Sequence, residues 1–334
     1  MLKNFWYACE FSHVVTDRPK QIELWGKKIV LYRNSANEVI ALKDICPHRG
    51  AALSLGKVEK DCIHCPYHGW KFGEDGICIE IPANPAGVSI PNKARTKTYL
   101  VREKYGFIWL FWGELPPEEC PPLPTLSDLP DSFGQPVYLN LKFKAHYSRV
   151  LENLVDPVHT AFVHTNSIGS GMVKEPQILT TDEICVEEWS ANCVVIAKQP
   201  ASKKGFYWKY IYDRYQTETK VLSAFYLPNL VILSVDFKFS IIQHMCLVPI
   251  NENTTEIKLI GYRNFLTYFW ADSLFRQVNL KILKDDKRVV ESQIPEVVPN
   301  DLAAELNVAG DGISIAYRKL RQKYLEIDRE TNSF

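Results

Sequence analysis

Cys46-Pro47-His48-Arg49-Gly50 and Cys65-Pro66-Tyr67-His68-Gly69-Trp70 decide how this chain is read. Taken as ligands, Cys46 and His48 form a Cys-x-His pair, and Cys65 and His68 form a Cys-x-x-His pair after sixteen intervening residues, 49 to 64. The set is two thiolates and two imidazoles on two matching loops. Two thiolates can hold the inner iron of a two-iron, two-sulfide cluster while two neutral imidazoles hold the outer one, which raises the potential above that of an all-cysteine cluster. Gly50 and Gly69 let the backbone bend close to sulfides that need peptide N–H donors, and Pro47 and Pro66 stiffen the loops. Zinc is the rival occupant, because Cys and His at short spacing also bind it tetrahedrally and Cys62 with Cys65 makes a nested Cys-x-x-Cys.

The doubled form resembles the Rieske iron–sulfur family over residues 46 to 70. Such a module needs only about a third of the 334 residues, so a second domain is expected to follow. Lys and Arg total 39 against 39 Asp and Glu, so global charge suggests neither a nucleic-acid nor an anionic-membrane partner. Neither a basic-then-apolar opening nor a membrane-length apolar run is present, and the chain reads as soluble and cytoplasmic. Of the nine cysteines, Cys9, Cys62, Cys78, Cys120, Cys185, Cys193 and Cys246 are left without a role and read as free thiols.

Around the ligand loops the pattern is that of short strands. Ile29–Tyr32 and Val39–Leu42 form a hairpin feeding the first loop, Glu74-Asp75-Gly76 turns between two strands, and Phe107–Trp112 is a β-rich run. An all-β domain over residues 1–115 is expected. Prolines 116, 117, 121, 122, 124, 130 and 136 then mark residues 116–136 as a linker or strap, leaving 137–334 as a second domain.

The second chemical signal is Asn153-Leu-Val-Asp156-Pro157-Val-His159-Thr-Ala-Phe-Val-His164. Two neutral histidines and one carboxylate on one face of an iron form the facial triad of non-heme oxygenases. Five residues on a straight helix separate His159 and His164 by about 140°, so convergence requires a local deformation; Pro157 deletes a helix donor just upstream and can mark a kink there. The carboxylate must come from later. In the helical stretch from about Tyr268 to Ser292, Phe275, Val278, Ile282, Asp286 and Val289–Val290 step by three or four, placing Asp286 in an apolar stripe and Asp285 beside it. A bare buried carboxylate is costly, and metal coordination compensates it. An ion pair with Lys287 or Arg288 is the bland alternative.

Rieske loops followed by Asn-x-x-Asp-x-x-His-x-x-x-x-His resemble the catalytic subunit of Rieske non-heme iron oxygenases. That resemblance implies an α+β fold, with an all-β [2Fe-2S] domain and then a helix-grip-like antiparallel sheet covered by helices. It implies a mononuclear Fe(II) beside the cluster, ligated by His159, His164 and Asp286. It makes Asp156 an electron-transfer bridge from His68 of one chain to His159 of the next, hence a homotrimer, with Asn153 as an outer neighbour. O2, a small organic substrate and a ferredoxin or flavin reductase are the implied partners. The chain is most similar to single-chain O-demethylases and cyanobacterial tailoring hydroxylases, so monooxygenation is expected. Aromatic-ring cis-dihydroxylation, and a Rieske protein that only passes electrons or senses redox state, are the alternatives.

The strands expected after the first histidine helix are Val194–Ala197, Val221–Tyr226, Val231–Val235, Ile241–Val248 and Thr255–Gly261. Phe206, Trp208, Tyr226, His244 and Met245 are candidates to line a pocket beneath them, each with a plain core role as the alternative.

Overall fold

A computed structural model describes residues 1–130, 132–165, 184–198 and 218–331. Two compact units divide the chain, one from Lys3 to Pro122 and one from Leu123 to Phe334 together with Met1–Leu2.

The first unit is all β. Its strands are β1 (Phe5–Phe11), β2 (Lys20–Leu24), β3 (Lys27–Arg33), β4 (Val39–Lys43), β5 (Lys57–Glu59), β6 (Cys62–His64), β7 (Lys71–Phe72), β8 (Cys78–Glu80), β9 (Val101–Lys104) and β10 (Phe107–Trp112). They form three antiparallel sheets, ordered β1-β10-β9, β2-β3-β4 and β5-β6-β7-β8. The β3–β4 hairpin and the β7–β8 turn are those read from the sequence. Pairing of Phe5 with Trp112 and Phe11 with Phe107 brings the two ends of the unit together, a contact that no local pattern announces. One apolar cluster joins the β2-β3-β4 and β5-β6-β7-β8 sheets through Val30, Tyr32, Leu42, Leu53, Ile63 and Phe72, and it includes Cys46 and Cys65.

The second unit contains β11 (Val137–Phe143), α1 (Tyr147–Val155), α2 (Thr160–Val163), β12 (Ile184–Val186), β13 (Ser190–Lys198), β14 (Glu218–Tyr226), β15 (Leu230–Asp236), β16 (Ser240–Asn251), β17 (Thr254–Arg263), α3 (Phe269–Val290) and α4 (Gly312–Thr331). The strands make one antiparallel sheet in the order β11-β17-β16-β15-β14-β13-β12. The five expected strands are present with wider limits. The edge strands β11 and β12 and the helix α4 are additions.

One face of the sheet carries the helices, as the cross-strand row Ser223–Leu233–Gln243–Gly261 shows. Ser223 Oγ donates to Val155 O of α1 at 2.8 Å, holding the end of that helix down on β14. Two residues along β14, Phe225 meets Tyr317 of α4 edge-on, with ring centroids 5.4 Å apart. At the other end of the row a Cβ on Gly261 would lie 2.6 Å from Phe275 Cε1, so α3 seats only because that position has no side chain. α1 is tied to the C-terminal helix by buried ion pairs: Arg149 to Glu152 at 3.2 Å and to Glu305 at 2.5 Å, and Arg318 to the same two carboxylates at 2.5 and 2.6 Å. Charges this far from water persist only when paired on several sides.

Candidate metal centres

The two ligand loops of the first unit have the same backbone. Cys46 N donates to Ala51 O at 2.8 Å and Gly50 N to Cys46 O at 2.9 Å, while Cys65 N donates to Trp70 O at 2.8 Å and Gly69 N to Cys65 O at 3.0 Å. Each turn closes on a left-handed glycine, with φ of 74° at Gly50 and 72° at Gly69, where a side chain would strain the backbone. The thiols are buried in the core, Cys46 at 1% and Cys65 at 3% exposure, whereas His48 is half-buried and His68 exposed. Burial pushes the Cys46 thiol up to about 11, the backbone N–H groups of His48 and Arg49 pull it down, and the adjoining Cys65 thiol pushes it up again. Backbone donors therefore already aim at sulfur, as an anionic cluster requires.

At the rim the His48 and His68 rings are 4.6 Å apart. Trp70 stacks on His48 with centroids 4.6 Å apart and planes 6° from parallel, and Tyr67 covers His68 at 3.9 Å. The donors thus sort into a thiol pair in the core and an imidazole pair at the rim, an arrangement for two irons rather than one zinc. Asp44, buried, braces the first loop from behind by accepting from Ser54 N at 2.7 Å, from Ser54 Oγ at 2.6 Å and from Gln21 Nε2. Nothing in the sequence marked Asp44, because its partners are ten and more residues away.

In the second unit the helix is fully broken upstream of His159, at Pro157, and the backbone leaves helical geometry again at His164, with φ −100° and ψ 31°. α1 ends at Val155, Asp156 is extended at φ −75° and ψ 117°, and a single-turn helix, α2, resumes at Thr160. His159 precedes that turn and His164 follows it, so their rings face each other at 5.3 Å. Asp156 and His159 therefore do not share a helix. Their proximity comes from a side-chain turn, in which Asp156 Oδ1 accepts from Val158 N at 2.8 Å and Oδ2 from His159 N at 3.3 Å. That fold-back leaves Oδ2 3.7 Å from His159 Nδ1.

α3 delivers the carboxylate. Its buried side is Ala271, Phe275, Asn279, Leu283, Asp286 and Val290, so Asp286 lies in the buried stripe, while Val278 and Ile282 flank it half-buried instead of forming it. Asp286 is 1% exposed, and its Oδ1 lies 3.3 Å from His159 Nε2 and 3.1 Å from His164 Nε2. Among the described residues, His159, His164 and Asp286 are the one group of three whose donor atoms lie within 4.8 Å of one another. Asp285, beside the stripe, reaches the far side of His164, its Oδ2 3.7 Å from Nδ1. Each histidine thus has an outer carboxylate of its own. Asn153, on α1, has a buried Oδ1 that lacks a hydrogen-bond partner among the described residues.

These donors fit a metal. Asp286 Oδ1 is buried and forms no aligned hydrogen bond, despite two ring nitrogens in range, so all three point past one another at a common centre. Nitrogen and oxygen ligands about 2.1 Å from one ion at right angles or tetrahedrally would lie roughly 3.0 to 3.4 Å apart, which is the spacing of Asp286 Oδ1 from each ring nitrogen. Burial works against a charge on His159, but Asp156 and Asp286 overcome it and lift the ring to about 9; burial likewise opposes the Asp286 charge, and the two histidines hold that carboxyl below its usual range. A cation is what this pocket stabilises.

Comparison with known proteins assigns a family to each part of the chain. Residues 4–99 match the Rieske [2Fe-2S] domain, and residues 143–326, more than half of the chain, match the vanillate O-demethylase oxygenase C-terminal domain. The chain belongs to the Rieske oxygenases of the vanillate O-demethylase type. Along almost its whole length this Rieske oxygenase is similar to the methylxanthine N1-demethylase of Pseudomonas putida, 28% identical over 98% of this chain and 91% of that one. The structure of that demethylase with caffeine superposes with a TM-score of 0.78 at 26% identity, covering 98% and 92% of the two chains. A 4beta-methylsterol monooxygenase of Methylococcus capsulatus is 37% identical over 48% of this chain and 44% of its own length. The chain spans less than half the length of several such relatives. Dicamba monooxygenase bound to dicamba shares the fold, at a TM-score of 0.77 and 19% identity, over 99% of both chains.

Of the expected pocket residues, Phe206 and Trp208 lie outside the described residues. Tyr226 is half-buried, Met245 is buried on the helix face, and His244 is buried on the opposite face, beside Tyr262 at 5.5 Å. Burial presses His244 down to about 4, so it is a neutral ring. Strand alternation, legible only once the register is known, turns His244 away from α3 and its neighbour Gln243 toward it.

Proposed function

We propose that this chain is the oxygenase component of a Rieske system that uses O2 and electrons from a ferredoxin or flavin reductase to hydroxylate or oxidatively demethylate a small organic substrate. The observation that carries the proposal is the convergence of His159, His164 and Asp286 in a chain that also bears paired Cys/His loops. In this reading Cys46 and Cys65 hold the inner iron of the cluster, His48 and His68 the outer iron, and His159, His164 and Asp286 the mononuclear iron. When bound, the mononuclear iron supplies O2 activation and the cluster supplies electrons singly.

The chain's own residues then have defined tasks. Asp156 and Asp285 orient the two iron histidines from behind, keeping each Nε2 turned to the centre. Buried thiols and the Trp70 stack keep water from the inner end of the cluster, while His68 is left open as the exit for electrons. Asp156 is the proposed bridge to His68 of a neighbouring chain. A head-to-tail contact of that kind must close into a ring, and a homotrimer is the assembly proposed. A cytoplasmic location is in keeping with nine cysteines, none of them in a disulfide. Among the described residues no helix is long and apolar enough to cross a membrane.

The test is oxygen uptake by the reconstituted protein with a reductase, over a panel of methyl ethers, N-methyl heterocycles, sulfonates and polycyclic scaffolds. Products that gain one oxygen or lose a methyl group support monooxygenation. Gain of two oxygens on a ring assigns dihydroxylation, and reductase-driven cluster turnover with no O2-dependent product from any compound refutes the oxygenase reading.

A further inference from the structure

The floor between α1 and α3 is the row Ser223–Leu233–Gln243–Gly261. Ser223 lies under Val155, next to the break that carries Asp156 and His159, and Gly261 lies under Phe275. Gln243, two strands from Ser223, is therefore about 10 Å along the floor from that break, at roughly 4.8 Å per strand. Asn279 is on the buried stripe of α3 seven residues before Asp286, about 10 Å along the helix axis at 1.5 Å per residue. Gln243 and Asn279 meet through a side-chain hydrogen bond. Two independent measures thus place this amide pair about the length of a bicyclic molecule from the triad.

The pair's hydrogen-bond polarity is determined by the backbone. Asn279 is 5% exposed and its Nδ2 donates at 2.8 Å to Phe275 O, which can only accept. Asn279 must therefore turn Oδ1 to its neighbour, and Gln243 must donate through Nε2. Gln243 is half-buried, and the hydrogen bond its side chain makes among the described residues is the one from Nε2 to Asn279 Oδ1, which leaves Oε1 to accept. The free edge it offers is a carbonyl oxygen beside its second amide hydrogen. Leu233, Val235, Ile241, Val278 and Ile282 around it are apolar and half-buried. The charged side chain of the adjoining row, Arg263, is bound to Asp272 at 2.6 Å and to Leu266 O at 2.8 Å.

We infer that Gln243, oriented by Asn279, is a specificity-determining residue that selects neutral ring substrates carrying an N–H or O–H donor, with lactam-like edges preferred and carboxylate anions disfavoured. The inference rests on the oxygenase reading for where the reacting atom sits. Gln243 contributes an acceptor to the substrate donor, and blocking that donor leaves two carbonyl dipoles facing each other or an unfilled acceptor. A site built to hydrogen-bond a donor rejects the analogue lacking it far more strongly than an apolar slot rejects a methyl group.

The experiment is equilibrium binding to the metal-loaded protein, by titration calorimetry, of 2-quinolone, N-methyl-2-quinolone and quinoline-2-carboxylate. Tighter binding of 2-quinolone than of either other compound, by roughly tenfold or more, is expected. In Gln243→Met, which keeps length and volume but has no acceptor, that preference shrinks to about twofold while N-methyl-2-quinolone binds as before. Equal or tighter binding of the N-methyl compound or the carboxylate by the unmodified protein overturns the inference. So does an unchanged preference in the variant, or no binding of 2-quinolone at millimolar concentration. Because the unmodified protein alone tests the preference, a misfolded variant does not rescue it. Binding is read without turnover, so loss of O2-dependent product would sink the oxygenase reading and leave the donor preference to stand or fall by itself.

Discussion

Replacing Asp286 by Asn in the metal-free protein tests whether the triad is held together by charge. In the metal-free site His159 is lifted from 6.5 to about 9 by Asp156 and Asp286 against the opposing effect of burial. At about 1.36 kcal/mol per unit, a shift of that size corresponds to about 3 kcal/mol of folding stability. The folded value is raised above the unfolded one, so this stability is fully present below about pH 6.5 and is lost as pH rises through about 9. Asp286→Asn removes one of the two carboxylates and so part of the effect. The assay is denaturant unfolding of metal-free wild type and variant from pH 6 to pH 9.5, taking the difference at each pH so that titrations elsewhere cancel. The gap is expected to be widest at the acid end and to narrow by about 1 to 2 kcal/mol toward the alkaline end. A gap that stays constant or widens with pH would refute the reasoning, because His159 would then be neutral in the empty site. The same proton must leave when a metal enters, so apparent affinity for a divalent metal should rise about tenfold per pH unit between 7 and 9.

Anaerobically prepared protein is expected to carry three irons and two acid-labile sulfides per chain, and metal analysis finding zinc on the Cys46–His68 loops would sink the cluster assignment. Asp286→Ala should leave the cluster's visible absorption intact and empty the mononuclear site, whereas Asp285→Ala, which removes only an outer contact to His164, should weaken metal retention by roughly 10- to 100-fold. Gly261→Ala drives a methyl group into Phe275 and should cost about 1 to 3 kcal/mol, lowering iron occupancy at the triad by shifting α3, with cluster absorption unaffected. Asp156→Asn keeps an acceptor for Val158 N, so both metal sites should load and the trimer assemble, yet single-turnover oxidation of the cluster should slow by orders of magnitude; a normal rate in that variant, or a fully active monomer, rules out the inter-chain route.

What the sequence determined by itself was the chemistry. Cys46 and His48, and likewise Cys65 and His68, share one tight loop, and short-range spacing controls which donors one loop can present. Asp286 was legible because a carboxylate within a helical apolar stripe has few ways to be compensated, although the stripe runs through Asn279 and Leu283 rather than Val278 and Ile282. Pro157 announced a disturbance just upstream of His159, but that it is a break bridged by an Asp156 side-chain turn depends on backbone angles that residue types do not specify. Tertiary structure alone decided the rest. The pairing of β1 with β10, Asp44 behind the first loop, Asp285 behind His164 and the alignment of Gln243 with Asn279 all join residues far apart in the chain. The physical reason is register: a one-residue slip of β16 would exchange Gln243 for His244 on the helix face, and the sequence alone, with polar residues at both positions, does not say which amide or imidazole faces the metal cleft.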